Sequence, residues 1–345
     1  MPVEDGREVQ MILASQDRQE QIKYYLALLE RVGPVEAQEQ LYRAGLPFTG
    51  ETHLLNHTAG DYLYEKHGLE GITYCRDYFL ESCYHGLLLR VISGKANDDM
   101  DSIKRIMDHC QQAGVAVPSQ CAHGIGHGYV AAVGYAQLVT ALEQCDAIGA
   151  QIANFPLFNC HDGAFMENVF GVHEGKPSPD RWVKEDDDFY PCNDPRLRTQ
   201  HINPCWSNQP ALLFQRRHGN LAQVGEICLK VSPEGAQRTC FDGLSRQINP
   251  LTENKMEKVF SLCGQLPPEW QQFCYQVNVG ASFSLGDRTM PYKVCAQLKD
   301  PAKTECYQVL FARISVYAKD SQDKQGLCER IHAQDAGQRQ SCREF

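Results

Sequence analysis

Sixteen cysteines impose a rhythm on this chain of 345 residues. They fall in eight successive pairs: Cys75/Cys83, Cys110/Cys121, Cys145/Cys160, Cys192/Cys205, Cys228/Cys240, Cys263/Cys274, Cys295/Cys306 and Cys328/Cys342. Members of a pair lie 8 to 15 residues apart. The second members follow one another at 38, 39, 45, 35, 34, 32 and 36 residues. A period of this size is the length of one helical hairpin in a solenoid. Most pairs enclose a turn residue: Pro118, Pro156, Pro233, Pro267 with Pro268, or Pro301. Apolar-periodic stretches between the pairs are long enough for a helix, a short loop and another helix. Each unit therefore reads as helix A, a turn and helix B, with one cysteine near the end of A and the other at the start of B. The chain is expected to be all-α, an α/α solenoid of eight disulfide-stapled hairpins, with a closed toroid as the alternative.

The same rhythm settles the chemistry expected of the cysteines. Zinc ribbons use CxxC spacing, which is absent. Eight staples leave no thiol over, and they imply an oxidising compartment, either periplasm or the outside of the cell. Each closed loop is expected to add roughly 2–4 kcal/mol by restricting the unfolded chain. The arrangement resembles tetratricopeptide-like proteins, especially the cysteine-rich bacterial helical-repeat proteins with one disulfide per hairpin. The resemblance spans residues 75–345 and implies architecture only. The tryptophan and glycine signature of the tetratricopeptide repeat is missing, so no ligand carries over.

A net charge of −10 argues against a nucleic-acid partner, which would need a basic face. No run of about 18 apolar residues is present, so no transmembrane segment is expected. Met1–Gln10 has no apolar core of a signal peptide, so any leader or anchor is expected to have been removed.

Taken in order, the chain is expected to form one helical-repeat domain over 1–345. Residues 1–70 form an N-terminal cap, with a helical stripe over 7–32 that ends at Gly33 and a second helix opened by Pro34. Residues 71–170 are histidine-bearing repeats. Residues 171–204 form a long loop, with Pro177, Pro179, Pro191, Pro195, Pro204 and the acidic run 185–188, readable as a lid or as a plain surface excursion. Residues 205–345 are regular repeats that read as scaffold.

Aligning the B helices on their cysteines exposes two columns. The residue after the cysteine is mostly aromatic: Tyr84, Trp206, Phe241, Tyr275 and Tyr307. The next residue is polar throughout: His85, His123, Asp162, Ser207, Asp242, Gln276 and Gln308. Glycine follows in four repeats and permits close helix approach. A polar column at one helical position faces a common surface, expected to be the functional face.

Histidines concentrate there. Eight of the twelve fall between residues 53 and 161. The His53/His57 and His123/His127 pairs are spaced four apart, so each pair shares one helix face. With His85 and Asp162 they make a candidate transition-metal site for copper, iron or zinc. Asp162 is the candidate further ligand or base. His161 adjoins it in the aromatic column and is the rival candidate. The spacing is similar to that of type-3 copper proteins. That resemblance implies one set of His53, His57 and His85 and another of His123, His127 and His161. Cys-His-Gly strings also resemble the zinc site of lanthionine cyclases, which requires free thiolates. His67, His109, His173, His201, His218 and His332 lie off the column and read as ordinary surface or packing residues.

The expected function is that of a secreted or periplasmic metal-binding protein, read as a histidine-ligated metalloenzyme. Few carboxylates stand near the histidines in sequence, which favours oxidative over hydrolytic chemistry. The substrate would be a small molecule or a peptide. The alternative is a non-enzymatic solenoid that binds a peptide or protein through Ser207, Asp242, Gln276 and Gln308.

Overall fold

The computed structural model describes residues 7–44, 50–76, 78–94, 100–113, 117–171, 178–318 and 320–345. Among these residues the secondary structure is entirely helical, without a strand. The chain forms two compact units, residues 1–184 with 193–204, and residues 185–192 with 205–345. The first contains α1 (Arg7–Ala14), α2 (Arg18–Val32), α3 (Pro34–Arg43), α4 (Gly50–His67), α5 (Tyr78–Gly94), α6 (Met100–Ala113), α7 (Val117–Val133), α8 (Leu138–Gly149), α9 (Leu157–Phe170) and the opening turn of α10 (Thr199–Arg216). The second holds the rest of α10, then α11 (Leu221–Cys228), α12 (Glu234–Ile248), α13 (Met256–Cys263), α14 (Pro268–Ser284), α15 (Met290–Gln297), α16 (Ala302–Tyr317), α17 (Ser321–Glu329) and α18 (Ala336–Glu344).

All eight cysteine pairs are disulfide-bonded as their spacing suggests, and no cysteine is free. Six bridges join an A helix to the next B helix: α6/α7, α8/α9, α11/α12, α13/α14, α15/α16 and α17/α18. Two depart from that pattern. Cys75 follows a 3₁₀ segment, Gly68–Tyr74, and Cys192 lies in irregular chain, so neither sits on an A helix. Prolines set the entry of several B helices. Pro156, Pro233, Pro267 and Pro301 occupy N-cap positions, where the missing N–H costs no helical hydrogen bond. Intact protein should titrate no thiol after unfolding, and peptide mapping should join Cys110 to Cys121 and Cys145 to Cys160. Reduced cysteines in protein taken from its native compartment would remove the argument for oxidising surroundings.

Two sequence expectations need correction. The stripe over 7–32 is broken at 15–17, because the Asp17 carboxylate caps a new helix by accepting from the Gln19 N–H at 2.7 Å. The irregular stretch after residue 171 ends at Thr199 rather than 204, since Pro204 lies inside α10. An interior proline costs about 3 kcal/mol, and this helix carries two, Pro204 and Pro210, while burying Trp206 and Leu213. Residues 172–177, including His173 and Pro177, lie outside the described residues. Residues 178–184 are tied down. Trp182 is buried, donates its backbone N–H to Asn168 Oδ1 at 2.7 Å, and carries the Arg196 guanidinium 4.0 Å above its ring.

The B helices of the first unit, α4, α5, α7 and α9, pack side by side in that order. Glycines make the contact intimate. A Cβ placed on Gly60 would stand 2.2 Å from the Cys83 carbonyl oxygen, and one on Gly86 would stand 2.3 Å from that of His57. The next-but-one interface repeats the arrangement: Gly126 faces the Cys160 carbonyl and Gly163 the His123 carbonyl, each at 2.0 Å. Such distances fit only a residue without a side chain. In the second unit Gly243 meets the Ser207 carbonyl at 2.3 Å, so α10 and α12 use the same device.

A buried histidine cluster as candidate metal centre

The glycine contacts bring three histidine-bearing helices into backbone contact, and their imidazoles converge. Helix α4 supplies His53 and His57 from one face, α5 supplies His85, and α7 supplies His123 and His127. Rings of His53 and His57 are 4.8 Å apart, His53 and His85 5.1 Å, His85 and His123 4.9 Å, and His123 and His127 4.8 Å. All except His53 are buried.

Outer partners decide which ring nitrogen carries the proton. His53 Nδ1 lies 2.7 Å from the Phe79 carbonyl oxygen, which only accepts, so Nδ1 is the donor. His85 Nε2 donates to Gln120 Oε1 at 3.3 Å. His127 Nδ1 donates to Glu167 Oε2 at 2.8 Å, and Glu167 also accepts from the Tyr135 hydroxyl. Asp162 Oδ2 stands 3.2 Å from His123 Nδ1, where its charge holds the proton on that nitrogen.

With the protons of His53 and His85 on their outer nitrogens, the inner nitrogens of these two rings face each other as lone pairs, and the remaining inner nitrogens of the cluster lie equally close. His53 Nε2 lies 3.2 Å from His85 Nδ1 and 3.1 Å from His57 Nε2. His123 Nε2 lies 3.1 Å from His127 Nε2. Facing lone pairs repel unless a cation sits between them. Two nitrogen ligands at about 2.0–2.1 Å from a tetrahedral ion stand roughly 3.3 Å apart, which is close to the observed spacing. Burial, with charge on His127 and His123 adding to it, lowers His53 to about 3 despite its bond to Phe79. Burial first and the neighbouring histidines second hold His85 well below the ordinary histidine value. Both rings are thus neutral at pH 7, the form that binds metals. The ligand atoms of His53, His57 and His85 all lie within 4.8 Å of one another.

The two carboxylates revise the sequence expectation that acidic groups are scarce here. Asp162 reaches the cluster through His123. Glu167 was not among the candidates, although it is five residues beyond Asp162 on α9. Its burial beside His127 depends on the α7–α9 approach and leaves no local sequence signal.

His161 is placed elsewhere. It is buried in the packing column, with Nε2 3.0 Å from Asp146 Oδ1. His201, which sequence reading set aside as ordinary, joins it. His201 Nε2 is 3.1 Å from Asp146 Oδ2, and the two rings stand 4.7 Å apart. Ligand atoms of Asp146, His161 and His201 also lie within 4.8 Å of one another. The charges there differ, however. His201 Nδ1 accepts from the Arg198 N–H, so its Nε2 carries the proton and donates to Asp146. The Arg198 guanidinium already stands 3.1 Å from Asp146 Oδ2, and Gln200 Nε2 donates to both oxygens at 3.2 Å. Asp146 is thus held by His161, His201, Arg198 and Gln200, and the group clamps α8, α9 and the start of α10 together. Burial, then His201, lowers His161 to about 4 against the pull of Asp146. Replacing His161 by Phe should leave metal content unchanged and cost about 1–2 kcal/mol for the lost bond and the exposed need of Asp146, read as a lower denaturant midpoint at unchanged slope.

Ser207, Asp242 and Gln276 of the polar column are bound internally, while Gln308 is exposed. Arg246 bridges Asp242 and Ser207 at 2.5 Å each, and Gln276 Nε2 donates to Glu305 at 3.0 Å. Since all sixteen cysteines are bridged, thiolate ligation of the lanthionine-cyclase kind is ruled out in this state. Comparison of the chain with protein-family models, curated proteins and solved structures finds no match.

Proposed function

We propose that this is a histidine-ligated metalloprotein of an oxidising compartment, periplasmic or extracellular, and that His53, His57, His85, His123 and His127 supply its metal ligands. The observation that carries the reading is the convergence of the inner imidazole nitrogens at 3.1–3.2 Å, with the His53 Nε2 and His85 Nδ1 lone pairs facing each other. Asp162 and Glu167 act as positioning residues that fix the tautomers of His123 and His127. With the carboxylates engaged on Nδ1, the inner donors are nitrogen alone, a set that suits copper or zinc better than non-haem iron. With open coordination positions such an ion activates dioxygen or water. The nitrogen-only set favours copper and oxidative chemistry on a small molecule, because the buried cluster is reached from solvent at half-buried His53.

The test is elemental analysis of untagged protein purified from its native compartment, with His123→Ala and His127→Ala alongside. Wild type should carry a transition metal. Each variant should hold clearly less metal than wild type while far-UV helicity stays nearly unchanged, since the disulfides hold the hairpins. Metal-free wild type with native helicity would overturn the reading and favour the partner-binding alternative.

A further inference from the structure

The five imidazoles do not share one focus. The inner nitrogens of His53, His57 and His85 form a triplet, and those of His123 and His127 form a separate pair. His85 stands between them. Its ring packs 4.9 Å from that of His123 and 5.8 Å from that of His127. Yet its Nδ1 turns to His53 and its Nε2 to Gln120, and neither nitrogen is within hydrogen-bond distance of the α7 histidines. A single ion bound by all five would need His123 Nε2 and His127 Nε2 among the triplet. They face each other instead, each ring held from behind by its own carboxylate.

From this geometry we infer that the cluster is a two-ion centre, one ion in the His53/His57/His85 triplet and a second in the His123/His127 pair. The inference rests on the proposed metal function and adds its stoichiometry and division of labour. The triplet fills three positions of a four-coordinate ion. The pair fills two, so two positions are open for a small ligand, and the pair is the reactive half. The centres are neighbours because α5 and α7 are pressed together. A Cβ on Gly128 would lie 2.6 Å from Ile92 Cβ, and one on Gly124 would lie 3.3 Å from the His85 Cα. One ring, His85, forms the wall between them.

The full-length protein, freed of metal and then loaded with Zn²⁺, is passed over a desalting column and its zinc counted per chain. Two ions are expected in wild type. His57→Gln and His127→Gln should each leave one ion, and the double variant none, with far-UV helicity confirming the fold. His201→Ala should leave the count at two. One ion in wild type, abolished by either glutamine variant, would overturn the inference while sparing the metal function. A count that falls to one in His201→Ala would also overturn it, because the second ion would then sit at Asp146. No bound zinc in folded wild type would sink the metal function itself. If a glutamine variant loses helicity, His57→Ala and His123→Ala replace it in the same count.

Discussion

Gly163→Ala is expected to destabilise the first unit by about 2 kcal/mol and to empty the His123/His127 half of the metal centre. Two effects of opposite sign compete. A glycine inside a helix is worse than alanine by about 1 kcal/mol on propensity alone. Against this, the new Cβ would sit 2.0 Å from the His123 carbonyl oxygen. That neighbour is backbone and cannot rotate away, so α7 and α9 must separate. Overpacking of this kind costs typically 1–3 kcal/mol and occasionally more, and here it outweighs the propensity gain. Separation also withdraws Asp162 and Glu167 from His123 and His127. Gly326 in α17 supplies the matched control, since a Cβ there meets nothing within 4 Å. Gly326→Ala should stabilise by up to about 1 kcal/mol. Denaturant unfolding of the two variants beside wild type reads both signs. A neutral or stabilising Gly163→Ala would mean that the helices are not in backbone contact.

Glu167→Gln is expected to weaken metal binding by about 10–100-fold, the usual consequence of losing a carboxylate behind a histidine ligand. The substitution keeps size and shape. It removes the charge that holds the proton on His127 Nδ1, and it leaves the Tyr135 hydroxyl a neutral acceptor. Ring orientation and basicity then weaken together at one of the two pair ligands. Chelator competition measures the affinity, and circular dichroism checks that the fold is intact. Glu143→Gln, which removes a half-exposed partner of Arg198 outside the histidine cluster, should leave the affinity unchanged. Equal affinity in Glu167→Gln and wild type would show that Glu167 does not support a ligand.

What the chain determined by itself was local in sequence. A disulfide between cysteines 8 to 15 residues apart needs only a hairpin, and the recurring period names the hairpin. The prolines at the helix starts and the His-x₃-His pairs are legible for the same reason, since each is a rule about neighbours a few positions apart. The column register placed Asp162 and His161 on different faces because successive residues on a helix are turned by about 100°. Other features were decided only in three dimensions. Cys75 and Cys192 pair as their spacing suggests, yet no A helix precedes them, because the short 3₁₀ segment and the irregular chain satisfy the same bridge. Asp17 breaks a continuous apolar stripe through one cap. Glu167, forty residues from His127, and His201, forty from His161, found their partners through helix packing. No periodicity encodes such a meeting. It depends on which glycines let two backbones touch, and a buried carboxylate is held there only once the imidazole it serves has been carried to within hydrogen-bond distance.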